Sequence, residues 1–218
     1  MKRLGLVVAV LALMAAEAEA QQDARLARLD RRVQTEVDAL LDSARLLGVP
    51  TEPVIDKALE GAAKRAPSER ILVVVRSRFR ELIAARAALG SGAMEPEIIA
   101  AADALHAGAS AQVISTLRRQ RPSVPLTIPL AVLADLIARG VPADTASSAV
   151  LALAAAPATD AQFAALRNDI ESDIAKGAPP AIAASVRTRG LPPAARIPVA
   201  TEAANPTGGD RASTGSKP

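Results

Sequence analysis

The spacing of apolar and polar residues predicts a protein built from helices. Between Gln21 and Leu47 the residues between apolar positions are mostly Arg, Asp, Glu and Gln. The apolar positions recur at steps of three and four, which places them on one stripe of a helix. The stripe fits a helix packed on its own domain or a coiled-coil seam, and the segment is close to the minimum length for a coiled coil. We therefore favour packing within the chain for the stripe Leu26, Leu29, Val33, Val37, Leu40, Ala44 and Leu47.

Two further helices are predicted directly after this segment. Thr51–Lys64 carries apolar residues at helical spacing, and Pro50 and Pro53 are tolerated at a helix start because the first turn does not use their missing N–H groups. The next helix runs from Ser68, its predicted N-cap, to about Leu89. Its apolar run Ile71–Val75 alone is compatible with a strand, but the helical spacing continues through Phe79, Leu82 and Ile83.

The later part of the chain continues in the same way. Pro122, Pro125 and Pro129 predict a rigid linker, followed by a helix from about Leu130 to Arg139. A later helix has Asp160 as its predicted N-cap. It carries one apolar face, formed by Phe163, Leu166, Ile170 and Ile174.

A short punctuation recurs between these helices and suggests an internal repeat. Gly48-Val49-Pro50 returns as Gly140-Val141-Pro142, with related phrases at Arg65-Ala66-Pro67 and Gly177-Ala178-Pro179. The recurrence is about 43 to 48 residues. Two-helix units of this length stack into arrays, although a chance echo in an alanine-rich chain is the alternative. Aligning Thr51–Arg78 with Met94–Arg121 gives these identities: Glu52/Glu95, Pro53/Pro96, Ile55/Ile98, Ala58/Ala101, Ala66/Ala109, Ile71/Ile114, Arg76/Arg119 and Arg78/Arg121.

Both ends of the chain differ from the helical part. Lys2 and Arg3, the apolar run Leu4–Ala16 and the small-residue end Ala18-Glu19-Ala20 are typical of a secretory signal peptide cleaved after Ala20. A retained anchor is the alternative, but the apolar run is shorter than the roughly 20 residues that a membrane-spanning helix needs. Residues 190–218 are rich in Pro, Gly, Ser and Thr and lack periodicity, so we predict disorder there.

Composition limits the ways in which this chain can be stabilised. Aromatic residues make up 1% of the chain and hydrophobic residues 50%, so Ala, Leu, Val and Ile must form the core. The chain has no cysteine, which excludes disulfides and a lipid-anchored lipoprotein. A net charge of +3 is weak evidence for a polyanionic partner, because it comes from a mixed surface of 26 basic and 23 acidic residues.

Reactive groups are few, and the sequence predicts no catalytic, metal or cofactor site. The single histidine, His106, precedes the helix-stopping Gly108 and suits the negative end of a helix dipole. The glycines of 90–95 have no nucleotide-binding pattern and serve better as a C-cap and turn. Asp169, Glu171 and Asp173 are two residues apart, so they should point in different directions on a helix rather than converge on calcium.

Six arginines are the sequence's candidate binding residues. They lie in two corresponding segments, and in a stacked array they could line up as an anion-binding stripe: Arg76, Arg78, Arg80, Arg118, Arg119 and Arg121. Arginine near helix ends is also expected on electrostatic grounds alone. Only one aromatic residue, Phe79, is interleaved with these arginines for base stacking, which argues against nucleic acid.

We therefore predict an all-α protein of antiparallel helical hairpins, in a short repeat array or an irregular bundle. Its parts are a cleaved signal peptide (1–20), an N-terminal amphipathic helix (21–47), a hairpin-repeat domain (48–189) and a disordered tail (190–218). The expected role is that of an exported, non-catalytic scaffold or protein-interaction module, periplasmic or secreted, with an unidentified protein partner in the cell envelope. The alternative is a binder of lipopolysaccharide or anionic lipid through the six arginines. No membrane span is expected after cleavage.

Overall fold

The computed structural model describes residues 25–189, and this part of the chain is all-α, as predicted, with nine helices and no strand. The helices are α1 (Arg31–Leu47), α2 (Glu52–Ala63), α3 (Ser68–Leu89), α4 (Glu95–Ala107), α5 (Ala111–Gln120), α6 (Thr127–Ala138), α7 (Ala143–Ala154), α8 (Asp160–Ala175) and α9 (Pro180–Arg187). The predictions of a signal peptide at 1–20 and of disorder at 190–218 lie outside the described residues.

The first helix begins later than the sequence pattern suggests. Asp30 is its N-cap and accepts a hydrogen bond from the N–H of Arg32 at 3.0 Å, so the chain turns before α1 instead of continuing one helix from Gln21. The buried stripe also passes through Leu41, while Leu40 is only partly buried. The buried residues of α1 face α2 and α3, as expected for packing within the chain.

The later helices whose bounds were predicted lie close to those bounds, but two predicted caps are wrong. Ile71–Val75 is helical, and α3 spans the predicted residues. Pro67 occupies its N-cap position, so the predicted cap Ser68 is the first helical residue. Thr159 likewise replaces Asp160 as the cap of α8. Helix α6 starts at Thr127, which leaves Pro129 in its first turn, where a missing N–H is tolerated.

The recurring punctuation forms one type of turn. A residue with positive φ ends a helix, the N–H of the next residue bonds to the carbonyl five positions back, and a Pro or Ser follows. This is the Schellman motif, which satisfies the last carbonyls of a helix. In four of the five turns of this type the positive-φ residue is glycine, and Arg65 is the exception with φ of 52°. The five turns are Gly48-Val49-Pro50, Arg65-Ala66-Pro67, Gly108-Ala109-Ser110, Gly140-Val141-Pro142 and Gly177-Ala178-Pro179.

The principal helix contacts are all between first or second neighbours along the chain. One row of helices consists of α1, α3, α5, α7 and α9, each of which contacts the next. A second row consists of α4, α6 and α8. Among these principal contacts α2 packs only on α1 and α3. Helix α7 contacts α5 and α9 and has no principal contact with α4, so it lies in the row of α3 and α5.

Leucine, isoleucine, valine and alanine fill the core between these rows, as the composition requires. The only aromatic side chain among the largest fully buried residues of 25–189 is Phe163. Helices lined by alanine can approach closely, and α4 is an example, with buried Ala100, Ala101, Ala102 and Ala104. None of the helices in this described region has both the length and the apolar character needed to cross a membrane.

Candidate functional site

The six candidate arginines do not share one environment. Arg78, in the middle of α3, is buried. Its guanidinium donates toward Asp103 of α4, with Nη2 and Oδ1 2.8 Å apart, and lies 3.7 Å from a carboxylate oxygen of Glu81. Arg78 therefore joins α3 to α4 and is occupied within the fold.

Arg118 is held even more closely, by the buried carboxylate of Glu97. Arg118 Nη2 lies 2.5 Å from Glu97 Oε1, which also accepts the N–H of Leu126 at 2.8 Å, while Oε2 accepts the N–H of Met94 at 3.0 Å. Burial would raise the pKa of Glu97, but these two N–H groups and the guanidinium outweigh it and lower the pKa below its ordinary 4.5. Glu97 thus connects the start of α4, the α5–α6 linker and α5.

Arg121, the C-cap residue of α5, is also buried. Its Nη1 donates to the carbonyl of Ala158 at 2.7 Å, and its guanidinium carbon lies 5.2 Å from the centre of the Phe163 ring. This distance is within the range of a cation–π interaction. Arg121 therefore links the end of α5 to the start of α8.

The other three arginines are exposed. Arg76 is paired with Glu36 of α1 at 2.6 Å, and Arg119 donates to the hydroxyl of Thr116 at 2.8 Å. Arg80 has no hydrogen-bond or ion-pair partner among residues 25–189. The matched positions of the two segments keep their environments: Arg76 and Arg119 are both exposed, and Arg78 and Arg121 are both buried.

His106 forms a pair with a carboxylate of the neighbouring helix. Its Nδ1 lies 3.0 Å from Oε1 of Glu81, and the hydroxyl of Ser77 lies 3.3 Å from the same oxygen. Serine and histidine thus share one acceptor and do not bond to each other, unlike the nucleophile and base of a hydrolase. The pair connects α4 to α3.

Of the three clustered acidic residues of α8, two share one arginine and the third pairs with another. Asp169 and Asp173 both face Arg187 of α9, and the Asp173 carboxylate receives its Nε and Nη2 at 2.7 and 2.8 Å. Glu171 instead pairs with Arg139 at 2.7 Å. Glu171 thus points away from the other two as predicted, whereas Asp169 and Asp173 lie on one side and share an arginine. No group of three or more His, Cys, Asp or Glu within the described 25–189 is placed to hold a metal ion.

An open apolar pocket lies between α2 and α3. Its volume is about 170 Å³, and its apolar wall is formed by Gly61, Ala66, Ile71 and Val74. A Cβ added at Gly61 would lie 2.8 Å from Cγ1 of Ile71, so the absence of a side chain at Gly61 allows the two helices to approach here.

Charged residues surround this pocket. Lys57 and Lys64 both bind the carboxylate of Glu60, at 2.8 and 2.5 Å. Hydrogen bonds from Lys57 and Lys64 lower the pKa of Glu60 to about 2. Arg70 also lines the rim and has no ion-pair partner among the described residues. The rim therefore carries three cations and one anion.

Neither Glu97 nor this pocket was apparent from the sequence. Glu97 is the third residue of α4, where a glutamate commonly bonds back to the N-cap N–H. That signal was weak because the cap is Met94 rather than Ser or Thr.

Comparison with known proteins finds no matching family model, no significantly similar curated protein and no significantly similar solved structure.

Proposed function

We propose that this protein is an exported, non-catalytic scaffold that binds another protein in the cell envelope. The observation that carries this proposal is the order of helix contacts, in which every principal contact joins first or second neighbours along the chain. Helical hairpins stacked in this way present an extended surface, which arrays of this kind use for binding.

The positions of the helices support the array interpretation for the first two units. Helices α2 and α4 begin at Glu52 and Glu95, and α3 and α5 begin at Ser68 and Ala111, so both starts recur after 43 residues. The third unit is less regular, because α6 precedes it. We therefore propose a short array with one inserted helix.

A binding role is also supported by where the polar chemistry lies. Arg78, Arg118 and Arg121 serve contacts between helices, and His106 is exposed and paired with Glu81. These groups stabilise the fold. The alternative, binding of lipopolysaccharide or anionic lipid through the six arginines, has less support because five of the six have partners within the chain, and only Arg80 has none among residues 25–189.

Photo-crosslinking in intact cells tests this function. A photoreactive amino acid is placed at exposed positions on the helices of the two rows. It should capture one defined protein, whether the cells are irradiated at low or at high salt. Charge-driven capture of lipid or polysaccharide would fall steeply as salt rises. Mass spectrometry of the purified protein tests export, with an N-terminus at Gln21 expected. Recovery of the intact chain from the cytoplasm, with no crosslinked protein, would contradict the proposal.

A further inference from the structure

The α2–α3 pocket lies on a part of α3 that α4 does not reach. Helix α3 has 22 residues and α4 has 13, so α3 extends for about 33 Å and α4 for about 20 Å. The last turn of α4 meets α3 at the His106–Glu81 pair. The N-terminal turns of α3 before Ser77 therefore project beyond the end of α4.

This projecting part of α3 carries exposed apolar side chains. Val73 is 62% exposed and Val74 is 43% exposed, and Val74 forms one wall of the pocket. On the opposite wall is α2, which has no principal contact with any helix beyond α3. The pocket and Val74 therefore form an exposed apolar surface between α2 and α3, and Val73 is a further exposed apolar residue on the same part of α3.

The charge around this surface is positive. Lys57, Lys64 and Arg70 lie on the rim, and Glu60 is its one carboxylate. Because both lysines already share Glu60, the rim keeps a net positive charge, with Arg70 free to bind an added carboxylate. An occupant with acidic groups beside an apolar group would complement it.

The size of the pocket restricts the apolar group. An engineered protein cavity of about 150 Å³ accommodates one benzene molecule, and this pocket has about 170 Å³. One leucine or phenylalanine side chain fits that space, whereas an acyl chain would leave most of its length outside. The dimensions favour a side chain of a polypeptide over a lipid.

We propose that the α2–α3 pocket binds an acidic amphipathic segment of a partner protein, with one apolar side chain inserted between Gly61 and Val74 and a carboxylate on Arg70. The inference rests on the proposed protein-binding function and names the surface and the chemistry of the partner. Docking of an amphipathic helix into an apolar groove is a common mode of peptide recognition.

Two labelled amphipathic peptides test the chemistry of the occupant. They share the same leucine and phenylalanine positions, and their polar positions carry Glu in one peptide and Lys in the other. Fluorescence anisotropy with the whole chain should show the acidic peptide binding at least about tenfold more tightly, with the difference shrinking at high salt. Equal affinities, or no binding of the acidic peptide, would overturn the proposal.

Matched variants test the position of the site. Val74→Asp should weaken binding of the acidic peptide at least about tenfold, whereas Val186→Asp on α9 should not, although Val186 is 46% exposed and also helical. Arg70→Glu should weaken binding, whereas Arg80→Glu on the same helix should not. Circular dichroism of each variant checks that the helices persist. Equal effects within either pair would place the peptide elsewhere and refute the site.

Two other occupants give different results. Binding to phosphatidylglycerol vesicles that Val74→Asp abolishes, without peptide binding, would identify a membrane surface and reject a protein partner. Self-association that Val74→Asp abolishes would identify a second copy of this chain as the occupant. That result would also reject a different partner protein. If Val74→Asp leaves crosslinking to the cellular partner unchanged, the scaffold function stands and only this site is wrong.

Discussion

Arg118 donates a hydrogen bond to the buried carboxylate of Glu97, with Nη2 of Arg118 and Oε1 of Glu97 2.5 Å apart. The guanidinium comes from α5 and the carboxylate from the first turn of α4, so the pair fixes one helix against the other. The same carboxylate accepts the backbone N–H of Leu126, which fixes the linker to α6 as well. Arg118, which resembles a surface cation in sequence, therefore serves as the partner of a buried carboxylate.

Removal of the Glu97 charge should destabilise the protein. Glu97→Gln keeps the shape but replaces an acceptor oxygen by an NH₂ group, so either Arg118 or a backbone N–H loses its partner. We expect the free energy of unfolding to fall by about 2 kcal/mol, measured by urea denaturation. Glu95→Gln, two residues earlier and exposed, is the control and should change it by less than about 0.5 kcal/mol. Equal losses in the two variants would contradict the role of Glu97.

The stabilisation by Glu97 should also depend on pH. Because its pKa in the folded protein is lowered from 4.5, the carboxylate stabilises the fold fully above the pKa of the unfolded chain. That contribution is lost as pH falls from about 4.5 through the lower folded value. The stability difference between the wild type and Glu97→Gln should therefore be constant near neutral pH and narrow in acid. A difference that widens in acid would mean that burial dominates and the pKa is raised.

The helices were largely predictable from sequence because their signals are local. The three- and four-residue spacing gave α2 and α3, and Gly-apolar-Pro phrases located several of the turns between helices. Features that depend on competition between adjacent positions were less predictable. Pro67 and Ser68 are both compatible with a helix start, and only the backbone conformation decides that Pro67 is the cap. Leu40 and Leu41 differ in burial because neighbouring helices select the buried face.

The environments of the arginines could not be predicted, because they depend on which helices meet. Arg78 and Arg80 are two residues apart on one helix, yet Asp103 from α4 reaches only Arg78. The pocket was missed for a similar reason. Gly61 is inconspicuous in sequence, and its role appears only where Ile71 packs against it. Tertiary contacts therefore separate structural arginines from surface arginines in a way that composition cannot.

Arg65 offers a test of the turn motif. It has φ of 52°, in the left-handed region where an L-residue other than Gly costs roughly 1–2 kcal/mol. Its side chain is exposed, so little else should be lost on substitution. We expect Arg65→Gly to raise the free energy of unfolding by about 1 kcal/mol in urea denaturation.

The reverse change at Gly140 is the matched control for this turn. Gly140 has φ of 87°, and a Cβ there would meet Pro180 at an ordinary 3.8 Å, so strain and not space would decide the effect. Gly140→Ala should lower stability by about 1 kcal/mol. The two changes should therefore have opposite signs. If both substitutions lower the free energy of unfolding, the left-handed conformation of Arg65 does not destabilise its turn.

Substitutions at Arg121 and Arg80 should distinguish an arginine that stabilises the fold from an exposed one. Arg121→Ala removes the hydrogen bond to the Ala158 carbonyl and the contact with Phe163, and should lower the free energy of unfolding by about 2–3 kcal/mol. Arg121→Lys should recover only part of this loss, because an ammonium lacks the planar fork that contacts both groups. Arg80→Ala is the control and should stay within about 0.5 kcal/mol of the wild type.

A double variant of two exposed arginines tests the lipid-binding alternative. If the six arginines formed an anion-binding stripe, Arg80→Ala combined with Arg119→Ala should reduce sedimentation with phosphatidylglycerol vesicles at low salt, since these two residues are exposed. We expect little vesicle binding in the wild type and no change in the double variant, because Arg78, Arg118 and Arg121 are committed to contacts between helices. Strong wild-type binding that the double variant abolishes, with stability unchanged, would support the lipid-binding alternative over the scaffold.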